Sequence, residues 1–204
     1  MHVLDGFIHP WHLAGGFAAT GLLTAATLPA LARAAPARVA MVTSAFFVAS
    51  LLSFPLGGTR VHLLLLGLEG VVLGRAAFPS VLVGLGLQLL MFGHGGYTTL
   101  GVNALNMGLG ALAAAAVFHL LPRALRAWVR GALAGFLGTL VGLCCYGATL
   151  LAAGEALRAT AWAVIVLHLP ILAIETAITA QAVAFLERVR PDLLGEAARP
   201  EAAT

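Results

Sequence analysis

Seven stretches of this chain, residues 10–32, 39–57, 61–75, 76–93, 103–121, 124–153 and 159–187, are apolar almost throughout. A helix needs about 20 apolar residues to cross a bilayer. In lipid it must also satisfy every backbone amide and carbonyl internally. Stretches of this kind lead to a bundle of membrane-crossing helices. The charge content agrees: 9% of residues are charged, where a soluble domain carries about 25%. The expected fold is an all-α integral membrane protein of about seven transmembrane helices. It forms one domain over residues 1–194, with a disordered cytoplasmic tail over 195–204. Six crossings are the alternative, if residues 61–93 do not cross twice.

The breaks carry the topology. Arg33, Arg38, Arg75, Arg123, Arg126 and Arg130 fall in connections that share one side when seven spans alternate. Arg188 and Arg190 follow the last span on that side, while Arg60 and Arg158 fall opposite. Eight arginines against two place the first side in the cytoplasm. The N-terminus is then outside and the C-terminus inside, in the cell's inner (plasma) membrane. Arg75 splits two short segments and marks a tight turn. Gly131/Gly135, Gly138/Gly142 and Gly70/Gly74 are spaced for close helix contact. The Ala14/Ala18 and Gly15/Ala19 ridge of the first span is the candidate face for another membrane subunit. The neighbours Cys144 and Cys145 read as small buried residues. No basic patch interleaved with aromatics points to nucleic acid.

The chemistry concentrates at the start, MHVLDGF. His2, His9, His12, His62 and His94 all fall on the outer side of this topology. Imidazole is a common ligand of first-row metals. A free terminal amine, the His2 backbone nitrogen and the His2 Nδ1 form adjoining five- and six-membered chelate rings. Three nitrogens in one plane suit Ni(II) or Cu(II), and low-spin Co(II) accepts the same plane. The fourth corner needs one more donor, for which His9, His12, His62 and His94 all remain open. Such a site needs Met1 kept and its formyl group removed. The opening also lacks the basic start of a signal peptide.

Four segments carry a resemblance: MHVLDGF, GGTRVHLLLLGLEGVVLG, LLMFGHGGYTTLGVNALNMG and LHLPILAIETAITAQAVAFLERVRPDLL. Together they resemble the CbiM/NikM family over nearly the whole chain, from Met1 to about Leu194. Members are substrate-binding membrane subunits of energy-coupling-factor transporters for cobalt and nickel. The resemblance implies that an arm, residues 1–9, enters the bundle. It implies a metal held by the Met1 amine, the His2 backbone and ring nitrogens, and His62 of the V-H-L motif. Arg60 stands where the family usually has serine. Asp5 would brace the arm, Gln88, Asn103 and Asn106 would orient the ligand rings, and His94 would belong to a mobile outer loop. Glu69, seven residues after His62, is expected near the same helical face and two turns deeper. Glu175 stands seven after His168, and buried acids in a membrane are functional candidates. His168 precedes Leu169-Pro170 and is expected to bend the last span.

The chain is not expected to be an enzyme. It has no G-x-x-x-x-G-K-[ST] phosphate loop and no H-E-x-x-H pair. No catalytic cofactor is expected; Co(II) or Ni(II) is the transported substrate. The resemblance implies partners: ATPase subunits, a coupling transmembrane subunit and a small accessory membrane subunit. Alternatives are a vitamin-type substrate-binding subunit or a metal-independent small-molecule facilitator.

Overall fold

A computed structural model describes residues 2–56 and 59–195. Of the expected tail over 195–204, residues 196–204 lie outside the described residues. Helix α1 spans Pro10–Arg33 and α2 spans Pro36–Leu51; each opens on a proline, whose missing N–H costs nothing in a first turn. Strands β1 (Ser53–Leu56) and β2 (Thr59–His62) form an antiparallel hairpin with Ser53 opposite His62. Helix α3 covers Leu66–Leu73 and α4 covers Ala77–Phe92, joined by a 3-10 turn over Gly74–Ala76. Helices α5 (Leu100–Leu120), α6 (Ala127–Ala152) and α7 (Arg158–Val189) follow, and a 3-10 turn over Pro191–Leu194 closes the described chain.

Helical turns run nearly unbroken from Leu66 to Phe92, but the path is not one rod. Ser80 donates to Glu69 Oε1 at 3.1 Å. Eleven residues of straight helix would separate these two by about 16 Å. The chain therefore doubles back, and it does so at Gly74, whose φ of 58° and ψ of −129° no helix contains. The break expected beside Arg75 is this turn. With it, α3 and α4 run as separate limbs of the bundle.

The segment read as 61–75 is only partly helical, which corrects one expectation. Residues 63–65 lie between β2 and α3 in non-helical backbone. Leu65 takes a left-handed φ of 51°. Glu175 of α7 explains the late start: its Oε1 accepts the amide hydrogens of Leu64 and Leu65, serving as the cap that α3 lacks. His62 and Glu69 therefore do not share a helix face. Glu69 is fully buried and joins Ser80, which in turn bonds Thr43 of α2.

Small residues set the helix contacts. Gly110 of α5 packs on Gly138 and Gly142 of α6, while Gly131 and Gly135 face Thr179 and Val183 of α7. Gly70 lies against Ala111, Ala114 and Ala115. In lipid such close backbone approach replaces the hydrophobic drive between helices. Cys144 is exposed and Cys145 half-buried, contrary to the expected burial. Nothing on the apolar exterior of α6 requires a cysteine to point inward.

The bundle has two distinct ends. Gly74 and Gly195 both approach His119, and Leu194 packs with Phe118 and Ala127. This is the end of Arg75, Arg123, Arg126 and Arg188. The N-terminal arm, the hairpin and the loop 93–99 gather at the other end. Among the described residues, five helical stretches are long and apolar enough to cross a membrane, and α2 is a shorter apolar helix.

Candidate metal centre

The arm, residues 2–9, is non-helical and lies in a groove between α4, α5 and α6. Asn103 of α5 clamps it at Val3: its Oδ1 accepts from Val3 N at 2.8 Å, and its Nδ2 donates to Val3 O at 3.0 Å. The Thr99 hydroxyl donates to the same carbonyl at 2.8 Å. Tyr146 donates its phenol to His2 O at 3.4 Å. Asp5 accepts amide hydrogens from Tyr97, Thr98 and Thr99 and the Thr98 hydroxyl. It thus ties the arm to the turn that leads into α5, where a carboxylate lies near the positive end of the helix. Gly95 and Gly96 make this possible. An added Cβ on Gly95 would stand 3.3 Å from the His2 ring, and one on Gly96 would fall inside the Asp5 carboxylate.

This docking brings His2 to His62. The His2 Nδ1 lies 3.2 Å from the His62 Nε2. Each ring is held from its far side. His2 Nε2 is 3.0 Å from Gln88 Oε1, and His62 Nδ1 is 3.3 Å from Leu63 O. A carbonyl oxygen only accepts, so the hydrogen of each ring sits on that far nitrogen. The two near nitrogens then face each other as lone pairs. A carbonyl on the outer N–H is the usual arrangement behind a metal-ligating histidine. Burial pushes His2 down to about 3. The docked His2 ring is therefore neutral near pH 7.

The site opens into a cavity of about 380 Å³ lined by His2, Ser50, His62, His94, Tyr146 and His168, among others. His94 is exposed in the loop, its ring 6.2 Å from that of His2 and packed against Phe92. Of the residues singled out in sequence, the structure brings together His2, Asp5, His62, Gln88 and Asn103, with His94 at the rim. Met1 lies outside the described residues. Glu69 sits apart with Ser80, and Asn106 pairs with Thr149 on α6 at 3.1 Å. His9 caps α1, accepting from Trp11 N, and His12 lies beyond that cap in α1. Sequence reasoning missed Thr99, Tyr146 and the Glu175 cap. Only Thr99 had a signal, its place in the glycine-rich YTTLG stretch. Among the described residues no three His, Cys, Asp or Glu side chains come close enough to hold an ion by themselves.

Two predictions follow from how the arm is held. Asp5→Ala removes the carboxylate that ties the arm to the turn before α5, which costs about 1 kcal/mol, or about fivefold in the population of docked arm. Metal titration should show a matching loss of affinity with an unchanged spectrum. The second concerns acid. The free imidazole titrates near 6.5 and the docked His2 near 3, so between these the undocked arm binds the extra proton. Docking in the metal-free protein is thus complete above about pH 6.5 and weakens as pH falls below it. The hydrogen bond from the Thr98 hydroxyl, with three amides, holds Asp5 below its ordinary value. Its contribution persists through that window and is lost only at lower pH. Amide exchange of Val3 should accelerate from about pH 6 downward, relative to intrinsic rates, while α5 amides beyond Asn103 stay protected.

Residues 2–193 match the family described as cobalt uptake substrate-specific transmembrane region, CbiM. A putative metal transport protein of Haemophilus influenzae is 30% identical over 95% of this chain and 97% of its own length. A fused nickel transport protein NikMN of Rhodobacter capsulatus is 34% identical over 99% of this chain and 66% of its own. The cobalt transport protein CbiM of Sorangium cellulosum is 34% identical over 76% of this chain and 75% of its own. A crystal structure of a transition metal transporter shares the fold, with a TM-score of 0.80 over 93% of each chain at 24% identity.

Proposed function

This chain belongs to the CbiM family of cobalt-uptake transmembrane regions, and from that premise we propose that it is the metal-capturing membrane subunit of an energy-coupling-factor importer for cobalt or nickel. Its relatives are named as transport proteins, not enzymes. One observation carries the reading: two nitrogens, His2 Nδ1 and His62 Nε2, face each other at 3.2 Å with their opposite ring nitrogens already engaged. Adjacent ligands at 90° around a metal, with bonds of about 2.1 Å, lie about 3.0 Å apart. The pair has the spacing of one edge of a square. With no third His, Cys, Asp or Glu side chain within reach among the described residues, the shell is completed by backbone and terminal nitrogens: the His2 amide and the Met1 amine. Three nitrogens come from the first two residues, and His62 closes the plane. Planar nitrogen coordination suits Ni(II), and Co(II) in its low-spin form.

The arginine-rich end faces the cytoplasm and the metal centre faces outward, in the plasma membrane. Seven limbs, with α3 and its extended lead counted as one, cross in alternation. Capture from outside follows from that orientation. A coupling membrane subunit and separate ATPase subunits supply the energy, since this chain has no phosphate loop. The outer face of α1 supports a docked partner: Ala14, Gly15 and Ala18 are exposed, and a Cβ on Gly15 would meet nothing within 4 Å.

The test is a Ni(II) and Co(II) titration of His62→Ala. Loss of one of four ligands should weaken binding by about 10- to 100-fold and shift the visible absorption of the bound ion. Unchanged affinity and spectrum would remove His62 from the site.

A further inference from the structure

His168 stands on α7 with its Nδ1 2.8 Å from Val164 O, one turn earlier. That carbonyl only accepts, so Nδ1 carries the hydrogen and Nε2 carries a lone pair. Nε2 is buried and has no partner among the described residues. The residue is only 6% exposed. Both His168 and Val164 line the cavity shared by His2, His62 and His94. His168 thus repeats the pattern of His2 and His62: one ring nitrogen fixed on a carbonyl, the other left as a donor. A buried lone pair without a hydrogen-bond donor is normally avoided. Bending of α7 does not account for it, because Pro170 removes its own N–H whatever residue stands at 168.

His168 is not part of the resting plane, because it forms no three-side-chain cluster with His2 and His62. We propose that His168 is an exchange ligand, a second nitrogen donor that binds the cation transiently as it enters and leaves the chelate. This rests on the Met1–His2–His62 reading above. A planar four-nitrogen ion exchanges ligands by taking a fifth donor from above or below the plane before it releases one. His168 supplies that donor from the cavity. A metal–nitrogen bond to its Nε2 forms while the bond to His62 Nε2 breaks. Neither nitrogen carries a hydrogen, so no proton moves. A group on the path in both directions accelerates entry and exit alike, and leaves the equilibrium unchanged.

The experiment is stopped-flow Ni(II) binding, and release into excess EDTA, on the full chain in lipid nanodiscs. Wild type is compared with His168→Ala and His168→Gln, each with and without free imidazole. The expected result is that both substitutions slow association and release together by about tenfold, with Kd unchanged. Imidazole should restore the His168→Ala rates. Unchanged rates would overturn the proposal, as would slowing that imidazole does not relieve in a variant of unaltered thermal stability. A change in the equilibrium spectrum would overturn it too, by making His168 a resting ligand. Failure of the underlying reading looks different: His62→Ala would then bind Ni(II) as wild type does, whatever His168 does to the rates.

Discussion

Acetylation of the N-terminal amine is expected to weaken Ni(II) and Co(II) binding by at least about a hundredfold, equivalent to about 2.7 kcal/mol. The chain has no lysine, so an amine-selective reagent modifies Met1 and no side-chain amine. An acetylated nitrogen is a poor donor, and the proposed five-membered ring with the His2 amide cannot close. That ring also brings the metal onto the amide nitrogen and lets it displace the proton. Losing the ring therefore removes more than one ligand's worth of binding. The contacts that dock the arm, from His2 to Gln88, Val3 to Asn103 and Asp5 to α5, all lie beyond Met1. Protection of the Val3 amide thus separates a lost donor from a lost arm. Calorimetry reads the affinity, and the planar absorption band of the bound ion reads the geometry. Equal affinity in acetylated and native protein would eliminate the terminal chelate and leave a site of side chains alone.

Gly70→Leu is expected to prevent stable folding. Gly70 lies where α3 crosses α5: an added Cβ would stand 2.8 Å from both the Ala114 Cβ and the Ala115 nitrogen, and closer still to the Ala111 carbonyl. These neighbours are backbone or a bare methyl group, with no rotamer by which to move aside. Overpacking of this kind costs at least about 1–3 kcal/mol. Here it also pushes away the short helix that follows His62 by way of residues 63–65. A broadened gel-filtration profile and a large drop in thermal midpoint in detergent should follow. Gly86→Leu is the comparison: a Cβ there meets nothing within 4 Å, and its thermal midpoint should match wild type. A stable Gly70→Leu protein with normal metal binding would show that α3 does not need this close approach.

Much of the architecture is legible because it depends on local properties. Apolar length marked the limbs, and Arg75 marked the turn between α3 and α4, which the structure makes at the neighbouring Gly74. Proline and glycine marked the helix ends, with Pro10 and Pro36 opening α1 and α2 and Gly93 closing α4 in the left-handed region. What failed was the inside of the third segment. Leu63-Leu64-Leu65 reads as helix on apolarity alone. Its extended path is held by a carboxylate more than a hundred residues later. Cys144 failed for a related reason. In lipid both faces of a helix are apolar, so hydrophobic periodicity does not reveal which face turns inward.

The same division runs through the metal centre. The terminal amine, the His2 amide and the His2 ring are joined by a few covalent bonds, so their chelate geometry is a property of the first two residues. The sequence by itself determined that much, together with the membrane class and the arginine-rich end. Only the tertiary structure brought His62, and none of His9, His12 or His94, within 3.2 Å of His2, set Gln88 behind His2 and placed His168 on the same cavity. Those relations join residues 60, 86 and more positions apart. They depend on how closely α3 meets α5 at Gly70 and α6 meets α7 at Gly131 and Gly135, and on where Glu175 lets α3 begin.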